Sequence, residues 1–138
     1  MIDSKLIEEY QNTTYIVEEH DPQIEIRVGE IASELDKLLI ENNVFTWAFI
    51  TAFNPRSKAL STEENEDRHQ RLLRRTYELG FRALRGKGIG DEATWVAERS
   101  LLILGIGREE AASLGQEFGQ NAIVIGSYRN RSELLLFE

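Results

Sequence analysis

Cysteine is absent from the 138 residues, which removes disulfide frameworks, zinc–thiolate sites and thiol nucleophiles together. The only histidines, His20 and His69, stand in different segments without ligand spacing, so no metal site is expected. No apolar run is longer than residues 101–104, far short of the roughly 18 to 20 residues that cross a bilayer. The first nine residues also lack the basic patch and continuous apolar stretch of a secretory signal. No membrane association and a cytoplasmic location are the expectations. Positive charge is scarce as well: 16 Lys plus Arg against 24 Asp plus Glu give a net charge of −8, which opposes a polyphosphate backbone at long range. Nucleic acid is disfavoured as a partner, with one local qualification. Arg68, Arg71, Arg74, Arg75, Arg82 and Arg85 crowd a short stretch, a pattern that is usually a solvated face balanced by neighbouring acids.

What is present suffices for one core. Hydrophobic residues make up 41% of the chain, enough for a domain of this length without metals or staples. No repeat, low-complexity tract or linker divides the sequence, so residues 1–138 are expected to form a single domain.

The hydrophobic period changes along the chain and marks its elements. Residues 6–10 suit a short helix. Residues 14–18 and 24–28 alternate around the turn cluster His20-Asp21-Pro22-Gln23, as an antiparallel hairpin does. Ile31, Leu35, Leu38 and Leu39 recur at helical spacing, and residues 44–51 carry apolar side chains on both alternating faces, as in a strand covered on both sides. Ser61-Thr62-Glu63-Glu64 reads as a capping box, opening a helix that stops at Gly80. Further expectations are a strand at 81–85, a flexible loop at 86–91, a strand at 95–106, a helix at 108–118 and a closing hairpin from 122–127 and 133–137. The order β-β-α-β-α-β-β-α-β-β favours an α/β (α+β) sandwich: one mixed or mostly antiparallel sheet with helices packed on it.

Polar residues stand out against this pattern at one strand-to-helix corner. Asn54-Pro55-Arg56-Ser57 leaves the apolar strand, and Asn65, Arg68 and His69 then lie along or beside the helical stripe of Leu72, Leu73, Thr76 and Leu79. Amides and charges facing inward need partners or an open cavity. Two readings are open: the asparagines tie down the loop, or Arg56 and Arg68 offer forked donors to a carboxylate or phosphate. Glu98 shares a strand face with Val96, Ser100, Leu102 and Leu104. A carboxylate there needs a cation or several N–H donors, and an arginine from the corner is the expected source. Glu98 is thus either a structural partner or a general acid or base, the one candidate for a catalytic group. Gln120 and Asn121, after the helix stop Phe118-Gly119, either tie a turn or reach into the same crevice.

Two glycine-rich stretches carry less. Gly86-Lys87-Gly88-Ile89-Gly90 is followed by Asp91-Glu92 rather than Ser or Thr and a helix, unlike a Walker loop. Gly105-Ile106-Gly107 lacks a third glycine, and Glu109 and Glu110 occupy the helix start that a pyrophosphate would need.

Taken in order, Ile50-Thr51-Ala52-Phe53-Asn54-Pro55, Glu64-Asn65 with Arg68, Trp95 ahead of Glu98 and Ser100, and Phe118-Gly119-Gln120-Asn121-Ala122 resemble the bacterial family of domains of unknown function numbered 3293. The likeness runs from about residue 45 to 137. Arg99 departs from the acidic residue expected in the family's Glu-Glu-Ser pattern. The resemblance implies a small soluble bacterial protein and supplies neither substrate nor cofactor.

The expectation is therefore a small anionic or nucleotide-like ligand bound in a crevice of Asn54, Arg56, Asn65, Arg68, Glu98, Gln120 and Asn121. The alternative is a protein interaction module that uses Trp47, Phe53, Trp95 and Tyr128 or a sheet edge, with the corner as scaffolding.

Overall fold

The computed structural model describes residues 2–90 and 97–137. Its elements are α1 (Ser4–Asn12), β1 (Thr14–Val17), β2 (Ile24–Ile26), α2 (Ser33–Glu41), β3 (Thr46–Thr51), a 3-10 turn (Pro55–Ser57), α3 (Thr62–Glu78), β4 (Arg82–Ile89), β5 (Glu98–Leu104), α4 (Arg108–Glu117), β6 (Ala122–Ser127) and β7 (Glu133–Leu136). The strands form one sheet in the order β2-β1-β4-β5-β3-β6-β7, and each neighbouring pair is antiparallel. This is the α+β architecture expected from the period changes, with the N-terminal helix added ahead of the first hairpin.

The double-sided apolar pattern of β3 has its structural counterpart. On one face Trp47 and Phe49 join Leu102, Leu104 and Val124 beneath Leu35, Leu38 and Leu39 of α2. On the other, Ala48 and Ile50 join Leu101 and Ile103 beneath Leu72 of α3 and Ala111, Leu114 and Phe118 of α4. Helices thus cover both faces, and the period of two in β3 and β5 assigns each side chain to one layer. Trp47, considered above for a partner surface, is 3% exposed and belongs to this core. Trp95 lies outside the described residues.

Helix α3 begins as its sequence dictates. The Glu64 backbone N–H donates to Ser61 Oγ at 3.1 Å, and the Ser61 backbone N–H donates to Glu64 Oε1 at 3.4 Å. It ends before Gly80, whose φ of +85° suits a residue without a Cβ.

The stretch from Gly86 corrects one expectation. Rather than opening a flexible loop, Gly86, Lys87, Gly88 and Ile89 continue β4 and pair with β1 on one side and, for all but Ile89, with β5 on the other. The glycines serve packing here. A Cβ on Gly86 would stand 2.6 Å from the Ile16 carbonyl oxygen and 2.8 Å from Phe49 Cζ, so its missing side chain makes room for the Phe49 ring. Gly86→Ala should therefore destabilise by about 1–3 kcal/mol, the usual scale of overpacking. Urea denaturation of the two proteins measures it.

Candidate ligand-binding site

The site begins where β3 ends. Asn54, Arg56 and Ser57 take φ values of +45°, +57° and +61°, a left-handed conformation that is costly for residues with a Cβ and persists only where surroundings hold it. They do so by side chains and backbone together. The Asn54 backbone N–H donates to Asn65 Oδ1 at 2.9 Å, and Asn65 Nδ2 donates back to Asn54 Oδ1 at 2.8 Å. The Leu60 N–H also donates to Asn54 Oδ1 at 3.0 Å. The Arg56 N–H donates to the Gly119 carbonyl at 2.8 Å.

Arg68 completes the clamp. Its Nε donates to the Ala52 carbonyl at 2.7 Å and its Nη2 donates to the Phe118 carbonyl, tying the end of β3 to the end of α4. Gln120, 6% exposed, adds a bond from Nε2 to the Phe53 carbonyl at 3.1 Å.

On the other face of the sheet lies a cavity of about 390 Å³. Its walls come from α1 (Leu6, Glu9, Tyr10), β1 (Tyr15), β3 and its continuation (Phe49, Thr51, Phe53), β4 (Gly88), β5 (Glu98, Ser100) and the α4–β6 junction (Gln120, Asn121). Of the seven residues proposed from sequence, Asn54, Glu98, Gln120 and Asn121 line it; Arg56, Asn65 and Arg68 do not. The reason is the alternation in β5. Glu98 follows Ser100, Leu102 and Leu104 onto the α2 face, whereas α3, carrying Asn65 and Arg68, packs on the opposite face. No arginine from the corner meets Glu98. Arg99 points the other way and pairs with Glu66 of α3 at 2.6 Å.

Asn54 supplies what the arginine does not. With its Oδ1 committed to two donors, its amide N–H₂ is the group left to face Glu98, and the Asn54 side chain favours the charged carboxylate. Burial raises the Glu98 carboxyl above its ordinary pKa, and the Asn54 side chain opposes part of that rise. Tyr10 is raised chiefly by burial; the Ser57 and Asn121 side chains act against this, while the charge of Glu98 adds to it. Asn121 Nδ2 in turn donates to Ser57 Oγ at 2.9 Å. Tyr15, whose hydroxyl donates to the Tyr10 carbonyl at 3.1 Å, is also raised by burial, and both tyrosines remain neutral phenols at neutral pH. Tyr10, Tyr15 and Phe49 were not singled out from the sequence as site residues. Their alternation and helical spacing mark them only as core, and nothing local indicates that they end beside a cavity.

Five of the six arginines of the short basic stretch have a partner among the described residues. Arg71 pairs with Asp67 at 3.0 Å, Arg75 with Glu117 at 3.2 Å and Arg85 with Glu19 at 3.6 Å, as a solvated, balanced face would be. His69 of α3 is 2% exposed, and its Nδ1 has no hydrogen-bond partner among the described residues. Its pKa is lowered by burial first and by Arg99 second, against the pull of Glu66.

Residues 50–123 match the family described as protein of unknown function (DUF3293). The match covers more than half of the chain, and the protein belongs to that family. No curated protein and no solved structure is significantly similar to it.

Two measurements check this geometry. Arg68→Ala leaves the Ala52 carbonyl without its side-chain donor and the Phe118 carbonyl with only the 3.4 Å bond from Gln120 Nε2, so unfolding free energy should fall by about 1–3 kcal/mol. For His69, the unfolded chain binds its proton near the usual pKa of about 6.5 while the folded chain binds it only at lower pH, so stability falls as pH drops below about 6.5. His69→Leu should flatten that acid-side slope by up to about one proton in denaturation curves taken between about pH 5 and 7.

Proposed function

We propose that this member of the DUF3293 family binds a small organic molecule in the cavity between α1 and the sheet. The observation that carries the reading is the cavity itself: about 390 Å³, at the small-molecule end of natural ligand sites, with apolar and aromatic walls and a few convergent polar groups. Phe49, Phe53, Tyr10 and Tyr15 offer flat apolar surface, and Glu98, Asn54, Asn121 and Ser100 offer hydrogen bonds. This combination suits a planar heterocycle of the kind a nucleotide carries. The phosphate half of a nucleotide finds less support, because Arg56 and Arg68 stand outside the lining and Arg68 spends donors on two backbone carbonyls. The backbone strain at Asn54, Arg56 and Ser57 also borders the cavity, where such strain commonly accompanies function.

A second reading, as an interaction module, draws on a different place. Phe45 is 62% exposed and stacks edge-on against Tyr128 at 6.3 Å, while Ile40 near the end of α2 is 46% exposed. That patch is small, and single exposed apolar residues are ordinary on a monomer.

The experiment is a thermal-shift screen of nucleosides, metabolite acids and amines on the protein and on Gly88→Val. A Cβ at Gly88 would meet only ordinary contacts, with the nearest atoms at 3.6 Å on Thr13 and Tyr15, and Gly88 lines the cavity, so a β-branched side chain there starts without a clash and takes up cavity space. A ligand at about 100 times its Kd stabilises by about 2.7 kcal/mol. That shift should appear in the native protein and vanish in Gly88→Val, whose own melting temperature stays close to native. A ligand that both proteins bind equally would put the site elsewhere.

A further inference from the structure

The cavity has a charge imbalance. Its two ionisable acids, Glu9 and Glu98, are joined by no Lys or Arg among the lining residues, and neither acid takes part in any ion pair among the described residues. Among the described residues, the neutral side chain of Asn54 is the one group that favours the Glu98 carboxylate. A carboxylate in a cavity needs a countercharge or several N–H donors, and the side chains of the described residues provide neither.

The walls fit the missing charge. Tyr10, Tyr15, Phe49 and Phe53 line the space around the carboxyl, and the faces of aromatic rings attract cations, most strongly when these are desolvated. At long range a net charge of −8 draws cations inward and repels anions. A metal ion is the poorer occupant, because no group of three or more His, Cys, Asp or Glu is gathered as ligands among the described residues, whereas hard cations demand six or more oxygens.

We propose that the ligand of this cavity is an organic cation, an amine or amidinium carried on a flat apolar body, whose charged head pairs with Glu98 while the body lies against the aromatic rings. The inference rests on the cavity being a ligand site, and it names the charge class of what enters. Asn54 is then a positioning residue: its Oδ1 is fixed by Asn65 and Leu60, so its amide N–H₂ is turned to the carboxylate and favours its charged form for the ligand.

The test uses four probes of nearly equal shape: benzylamine, benzamidine, benzyl alcohol and benzoate. Their binding is measured by calorimetry to the native protein, to Glu98→Gln and to Gly88→Val. The two cations should bind the native protein at least about tenfold more tightly than the alcohol, and benzoate weakest of all. Glu98→Gln keeps the shape and a polar group opposite Asn54 and should abolish the preference for cations while leaving the alcohol's affinity unchanged. Gly88→Val should weaken every probe. If the four probes bind the native protein alike, or benzoate binds best, and Gly88→Val still blocks them, the cavity stands as a ligand site and the cation assignment falls. If none binds, both readings fall. Should Glu98→Gln fail to fold, the ranking of the probes on the native protein decides the matter alone.

Discussion

The reciprocal amide pair of Asn54 and Asn65 is the contact on which the rest of this molecule's polar architecture turns. Three residues in the left-handed region within four positions make an unstable corner, and two side-chain bonds plus one from Leu60 fix it. Asn65 is buried at the start of α3, so the helix and the corner hold each other in place. Arg68, one turn further on, extends the clamp to α4 through the Ala52 and Phe118 carbonyls. A charged group inside a protein is stable when its donors are used, and the guanidinium here joins three segments far apart in sequence.

The sheet then divides the chemistry between two layers. β3 is apolar on both sides and is covered on both, so whatever lies on one face is screened from the other by a full layer of side chains. Arg68, His69 and the Arg99–Glu66 pair belong to the α3 face. Glu98, the tyrosines and the cavity belong to the α2 face. Asn54 reaches both, its backbone and Oδ1 toward α3 and its amide N–H₂ toward Glu98. Rigidity on one side thereby orients a polar group on the other, the relation between a supporting residue and a site that a preorganised pocket requires.

The cavity wall from α1 and β1 lies outside the segment matched by the family, residues 50–123. Tyr10, Glu9 and Tyr15 thus come to the site from a different part of the chain than Asn54, Glu98 and Asn121. The Tyr10 hydroxyl sits among Ser57, Asn121 and Glu98, and the N-terminal helix closes over the corner rather than only capping the sheet.

Much of the architecture followed from local rules that act within a few residues. The capping box at Ser61, the stop at Gly80, the alternation of β1 and β2 and the double-sided pattern of β3 each depend on neighbours along the chain, and each was readable there. The polar corner was readable for the same reason, since Asn54 and Asn65 interrupt apolar stripes. Which residues share a hollow was decided only by tertiary structure. Facing in β5 sets Glu98 against α1 rather than α3, strand order sets β1 beside β4, and Gly86 of β4 yields space to Phe49 instead of opening a loop. Those outcomes depend on how layers stack and on which strands become neighbours, and periodicity in one segment holds no record of what packs across from it.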